Sequence, residues 1–259
     1  MLPSTEKYFN ARIVKRRDIS NDLWVIRADP GGEFPFVPGQ YATLGVMAHE
    51  KHHERAYSIA SAPHEKFLEF FIELVPQGMV TPKLYPYQVG DQITLRKTAK
   101  GRFKLETTGG RSNHLMLATV TGVAPFVSFV RSLYHRGKDS NSAVGNHLYL
   151  IDGASRSQEL GYRMELARIA ADVPWLTYIP TVSRPWEDQA WKGETGRVDE
   201  LVRKYSDAWG LTADNTVAYV CGHPSMIDHV KGVLKRRGWQ KDAVREEAYF
   251  IPGRGAAPA

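Results

Sequence analysis

The chain has 259 residues, 42% of them hydrophobic and 24% charged, which supports an unstapled core in one large domain or two modest ones. A net charge of +6 favours acidic partners; with no zinc-ligand spacing, helix-turn-helix or RNA-binding aromatic signature, nucleic acid is excluded in favour of an acidic protein or a polyphosphate ligand. The single cysteine, Cys221, rules out an intrachain disulfide and indicates a reducing, cytoplasmic setting.

Short strands are expected at 11–17, 23–28, 41–47, 55–60, 67–74 and 92–97, set apart by Pro30-Gly31-Gly32, Pro38-Gly39 and Gly90-Asp91. Six such strands with no helical period indicate a small antiparallel β-barrel. A turn-rich stretch from Gly101 to Asn113 marks the boundary, giving domains of 1–108 and 109–259. Beyond it strands at 114–119, 147–152, 176–182, 216–221 and 243–250 alternate with helices at 124–136, 158–171, 198–205 and 225–237. That rhythm implies a parallel sheet covered by helices on both faces, with ligands at the carboxyl ends of the strands. The longest apolar region, Leu115 to Val130, is broken by Thr, Gly, Pro and Ser. It falls short of the ~20 residues a membrane span needs. The N-terminal stretch Met1–Lys7 carries no basic-plus-apolar signal pattern.

Four stretches carry candidate chemistry. In Arg55-Ala56-Tyr57-Ser58, at the start of a strand-like run, Arg55 and Tyr57 point to one face and Ser58 to the other. The set suits a flavin: a guanidinium for phosphate, a phenol to pack on the ring or its ribityl chain, and a hydroxyl to bond near N5. Gly78-Met79-Val80-Thr81-Pro82 offers backbone N–H groups and the Thr81 hydroxyl to a phosphate at a turn or helix start. Thr119-Val120-Thr121-Gly122-Val123-Ala124-Pro125 joins a strand to a helix and brings Gly122 and a helix N-terminus to the expected ligand edge. A basic group lies past two later strands: Arg156, Ser183-Arg184 and Gly196-Arg197. Arginine forks suit a 2′-phosphate. The acid that would hold free ribose hydroxyls does not appear at the comparable strand end, the first being Glu187.

Together these residues resemble the ferredoxin–NADP reductase family in its bacterial form, over nearly the whole chain. The resemblance implies an antiparallel β-barrel binding FAD, followed by an α/β Rossmann-like domain binding NADP(H). It implies that Arg55, Ala56, Tyr57, Ser58, Phe71, Ile72, Leu74, Gly78, Val80 and Thr81 serve the FAD. Thr121 and Gly122 would receive NADP, while Arg156, Ser183, Arg184 and Arg197 would hold its adenosine end. Cys221, in Cys221-Gly222-His223-Pro224-Ser225-Met226, would lie near the nicotinamide. Ala248, Tyr249 and Phe250 would touch the flavin as the C-terminal tail reaches back to it. Ser58, Cys221 and Glu246 are the implied catalytic residues, with Glu247 the alternative carboxylate. The family's NADP loop usually has Gly where this chain has Val120.

The implied activity is hydride exchange with NADPH and one-electron exchange with ferredoxin or flavodoxin, by a monomer. Two other readings stay open at this point: an NAD(P)H-dependent flavin or oxygenase-component reductase, and a non-catalytic flavin-binding regulator. With one cysteine the chain cannot ligate an iron–sulfur cluster of its own. The run Arg96, Lys97, Lys100, Arg102, Lys104 could receive an acidic carrier. Glu50–Glu54, with His49 and His64 nearby, reads as a solvated loop and not a metal site, because adjacent histidines on an extended segment point opposite ways.

Overall fold

The computed structural model describes residues 6–48, 51–136 and 145–249. It divides into two compact units: the chain up to Lys104 together with Val127–Ser132, and Leu105–Phe126 together with the chain from Leu133 onward. Among the described residues no helix is long and apolar enough to cross a membrane.

The first unit is a curled antiparallel sheet. Its strands are β1 (Tyr8–Asp18), β2 (Leu23–Asp29), β3 (Tyr41–Ala48), β4 (Lys51–Ser58), β5 (Leu68–Glu73) and β6 (Gln92–Arg96), in the order β4-β3-β6-β1-β2-β5. Alternation decides which residues face inward. Ala11 and Ile13 of β1 and Leu68, Phe70 and Ile72 of β5 enter one core with Trp24, Ile26, Leu44 and Ile59. Each large side chain so buried contributes about 1.5–3 kcal/mol. Beyond β4, Ile59 and Ala60 continue in backbone bonds to Gln40 and Glu69, which draws the two edges of the sheet together. The Val127–Ser132 segment joins this unit through Ser128 Oγ, which donates to Ser61 O at 2.7 Å, and through Arg131, 2.9 Å from Glu69.

One expectation changes here. β4 begins at Lys51, so Arg55–Ser58 lies at its end and not its start, and Lys51–Glu54 is paired strand, not loop. His52 faces β6, its Nε2 2.6 Å from Thr94 Oγ1, while residues 49 and 50 lie outside the described residues. A polar edge strand lacks the apolar alternation by which strands are recognised, because charge on an edge guards against pairing with other chains.

The second unit is a parallel sheet of β7 (Asn113–Thr119), β8 (His147–Ala154), β9 (Leu176–Val182), β10 (Glu194–Thr195), β11 (Thr216–Gly222) and β12 (Val244–Ala248), in the order β10-β9-β8-β7-β11-β12. Every residue of β11 is buried, as expected for a strand covered on both faces. The helices α4 (Val198–Ala208) and α5 (Pro224–Arg236) place Val198, Leu201, Val202, Met226, Ile227 and Val230 against β7 and β11. Helix α2 (Ala124–His135) follows β7, and α3 (Arg163–Asp172) follows β8. The helix expected from 158 starts at Arg163, after a short 3₁₀ turn at Ser157–Glu159. Strand order reverses between β7 and β11, so a crevice opens at their carboxyl ends, the position where open α/β sheets bind ligands.

Candidate functional site

In the first unit the Arg55–Ser58 segment ends β4 opposite Leu44 to Tyr41 of β3. Arg55 and Ala56 are exposed and Ser58 is buried. Arg55 Nη1 donates to Glu54 O at 2.9 Å. The Tyr57 hydroxyl is buried yet has no hydrogen-bond partner among the described residues. Burial pushes its pKa far up, with the positive charge of Arg55 opposing, so the phenol stays neutral and keeps both a donor and acceptor capacity. A buried polar group left unsatisfied costs about 1–3 kcal/mol, and a polar ligand chain at this strand end would relieve it. This residue set therefore fits a flavin.

The phosphate turn is only partly as expected. α1 (Thr81–Leu84) is a single turn, and the Thr81 hydroxyl is engaged by Val75, accepting from its N–H at 2.9 Å and donating to its carbonyl at 3.3 Å. Val75 uses up the hydroxyl, so a phosphate here would rely on main-chain N–H groups. Gly78 has no room for a side chain, since a Cβ would stand 2.9 Å from Val75 O. Ile72 and Val80 are core residues, and Leu74 packs at the core's edge, so their side chains serve the fold. Phe71 points to the face opposite Phe70 and Ile72.

In the second unit a cleft opens at the strand ends, lined by Thr119, Val120, Gly153, Ser155, Ser183, Arg197, His223 and Ser225 among others. Three glycines allow the close packing around it. A Cβ on Gly122 would lie 2.3 Å from Cys221 O, one on Gly153 2.3 Å from Val198 Cγ2, and one on Gly222 2.2 Å from Thr119 Oγ1. Val120 holds φ +48°, a left-handed conformation that a β-branched residue rarely adopts. Val120, at the loop position where the resemblance leads one to expect Gly, thus sits in a glycine-like backbone. His223 caps α5, its Nδ1 accepting from Ser225 N at 3.2 Å, so two helix N-termini, those of α4 and α5, face the cleft beside hydroxyls and a guanidinium. Such a set suits the anionic backbone of a dinucleotide.

The arginines expected at the adenosine end are already engaged. Backbone bonds from Ser183 to Ala154 and from Arg184 to Ser155 bring the ends of β8 and β9 together. Pro185–Glu187 then folds back as a 3₁₀ turn, and Glu187 stands 2.5 Å from Arg156 and 3.6 Å from Arg184. Glu159 also pairs with Arg156 at 3.1 Å. Arg197, the N-cap of α4, pairs with Asp199 at 3.2 Å. Asp199 gave no signal in the sequence, and Glu187 is brought by the turn to the strand end it seemed too far along to reach.

Cys221 is wholly buried, and burial pushes its thiol well above the ordinary range, with Glu247 adding to the shift and a hydrogen bond with Tyr249 opposing it. The thiol is therefore neutral. Tyr249 lies across this strand end, its N–H donating to Gly222 O at 3.1 Å and its hydroxyl to Thr121 O at 2.9 Å. Glu246 turns to α5, where Lys231 holds it at 2.5 Å. Glu247 pairs in register with Cys221 and shares its face. The carboxylate beside the thiol is thus Glu247, not Glu246. Ala248, opposite Gly222, is exposed. Phe250 and the tail lie outside the described residues.

The sequence matches two family models in order, the oxidoreductase FAD-binding domain over residues 10–105 and the oxidoreductase NAD-binding domain over 116–232. It is 29% identical to ferredoxin–NADP reductase A of Sorangium cellulosum, over 94% of this chain and 88% of that one. The chain carries the FAD-binding and NAD-binding domains of an oxidoreductase, in that order, and has relatives named ferredoxin–NADP reductase. A second relative is the ferredoxin–NAD(P)(+) reductase component of the naphthalene 1,2-dioxygenase system of Pseudomonas putida, 29% identical over 94% of this chain and 71% of that one. Among solved structures, a ferredoxin NADP+ reductase from Neisseria gonorrhoeae superposes with a TM-score of 0.81 at 24% identity, covering 94% of this chain and 99% of that one. The first unit is thus an FAD-binding domain and the second an NAD(P)-binding domain of a flavin-dependent oxidoreductase.

Proposed function

We propose that this enzyme moves electrons between NADPH and a ferredoxin-type carrier through FAD, as a cytoplasmic monomer, with flavodoxin as an alternative carrier. The observation that carries the reading is the cleft of the second unit. Hydroxyls of Thr119, Ser155, Ser183 and Ser225, the Arg197 guanidinium and two helix N-termini line it at the sheet's reversal point. When bound, FAD supplies the exchange between two-electron and one-electron chemistry.

The chain's own residues bind and orient. Arg55 meets the flavin phosphate, Tyr57 offers its unsatisfied hydroxyl, and Ser58 hydrogen-bonds near N5. In the second unit Tyr249 keeps Cys221 covered, so the nicotinamide reaches the thiol when the ring moves aside. Glu247, half-buried on the face of Cys221, holds or relays a proton there. Lys97, Lys100, Arg102 and Lys104 are exposed cations of the first unit and steer an acidic carrier. Arg96 is committed elsewhere, to both carboxylate oxygens of Glu54 at 2.9 and 2.6 Å.

The test is turnover with NADPH, first with a dye and then with purified ferredoxin and flavodoxin. Dye reduction with no transfer to either carrier would refute the partner assignment. A second reading, supply of electrons to an oxygenase, is favoured by the dioxygenase-component relative. It requires transfer to an oxygenase's ferredoxin in preference to other carriers.

A further inference from the structure

We propose that Glu187 tunes this enzyme's choice between NADPH and NADH, lowering the preference for NADPH by about three- to tenfold. The inference rests on the reading of the cleft as the nucleotide site, with its adenosine end at Arg156, Ser183 and Arg184. The two arginines that would clasp a 2′-phosphate meet on one carboxylate, Glu187 Oε2 lying 2.5 Å from Arg156 and Oε1 3.6 Å from Arg184. Glu159 takes a second nitrogen of Arg156, so that guanidinium already serves two acids. The neighbouring Asp188 is fixed in the same turn, accepting from Ser157 N at 3.1 Å. The turn holding Glu187 is thereby tied to both strand ends, by Asp188 to the segment after β8 and by the backbone bond from Glu187 to Arg184 O at 3.0 Å.

A 2′-phosphate must either displace Glu187 or sit beside it. Displacement gives up two ion pairs, while coexistence places a carboxylate against a phosphate that carries close to two negative charges. A free 2′-hydroxyl meets the opposite situation. Carboxylates are the usual acceptors for ribose hydroxyls in NAD sites, and Glu187 is held where one is needed. The same residue thus weakens the 2′-phosphate and welcomes the diol. The side chains are one-third to one-half exposed, at 38% for Arg156, 49% for Arg184 and 32% for Glu187. Solvent screens such pairs, so the expected change on removing the acid is modest, about three- to tenfold.

The experiment measures binding of 2′,5′-ADP and 5′-AMP to the FAD-loaded enzyme by calorimetry, in the natural protein and in Glu187→Gln. The expected result is a three- to tenfold rise in the ratio of 2′,5′-ADP to 5′-AMP affinity in the variant. The ratio of kcat/KM for NADPH over NADH should rise in parallel. An unchanged or lower ratio, with both ligands still binding, would overturn the role of Glu187 and leave the nucleotide site standing. Failure of the natural protein to bind either ligand would overturn the nucleotide site itself, and the proposal with it. Arg184→Ala serves as the internal control and should move the ratio the other way; a rise there too would count against the proposal.

Discussion

Asp152 should make the second unit more stable in mild acid than in mild alkali. It lies wholly buried near the end of β8, one residue before Gly153 of the cleft. Tyr178 donates to its Oδ2 at 2.9 Å, while Oδ1 has no partner among the described residues. Burial pushes the carboxyl from 3.8 up to about 7, and the Tyr178 hydrogen bond offsets only part of the rise. The folded protein therefore binds the proton more tightly than the unfolded chain does. The stability this confers is fully present below the ordinary carboxylate range and is lost as pH climbs through 7. A rise of about 3 units at 1.36 kcal/mol per unit gives a ceiling of about 4 kcal/mol. The part falling between pH 5 and pH 7, two units, is about 2.7 kcal/mol. Asp152→Asn keeps an acceptor for Tyr178 and removes the titration. Its stability advantage over the natural protein should therefore be about 2.7 kcal/mol larger at pH 8 than at pH 5, about 5–10 °C in the melting midpoint of a chain this size. Calorimetric melting of both proteins at both pH values measures this, and the paired design cancels every other titrating group. An advantage that is the same at both pH values, or that shrinks at pH 8, would refute the reasoning.

Other outcomes follow from single residues. Val120→Gly should leave stability within about 1 kcal/mol of the natural value, because release of left-handed strain offsets added chain entropy and lost packing. Val120→Ala keeps the strain and loses the methyl groups, so a chemical denaturation series should place it below Gly; the reverse order would show that φ +48° carries no strain. Tyr57→Phe should not destabilise the flavin-free protein, since the deleted hydroxyl has no partner among the described residues, yet should weaken FAD about tenfold in a fluorescence titration. Unchanged FAD affinity would remove Tyr57 from the site. Tyr249→Ala should turn a thiol that resists alkylation into one that reacts, measured by mass; an equally inert Cys221 would mean that other groups cover it.

Most of the strands of both units can be read from the chain, because the two periods are plain, whereas their order within each sheet cannot. β1 alternates around Ala11 and Ile13, while β11 is apolar from Val217 to Cys221, as suits a strand covered on both faces. β4 starts earlier than its pattern suggests because Lys51–Glu54 carries charge and histidine in place of an apolar alternation. Within the site, residue types were legible and their commitments were not. Glu187 is only three residues from Arg184, but nothing local to Arg156 announces that the same turn brings Glu187 to it. The choice between Glu246 and Glu247 is a matter of parity. Neighbouring strand residues face opposite ways, and only the pairing with β11 shows which one lies beside Cys221. Thr81 carries the residue type that a phosphate turn calls for, but its hydroxyl is spent on Val75.

The most direct check on the whole account is the absorbance spectrum of the purified protein, together with the mass of whatever heat releases from it. FAD in equal amount to the chain, bleached on adding NADPH or NADH under argon, is the expected result. A colourless protein that takes up no FAD, or a bound flavin that neither nucleotide bleaches, would contradict it.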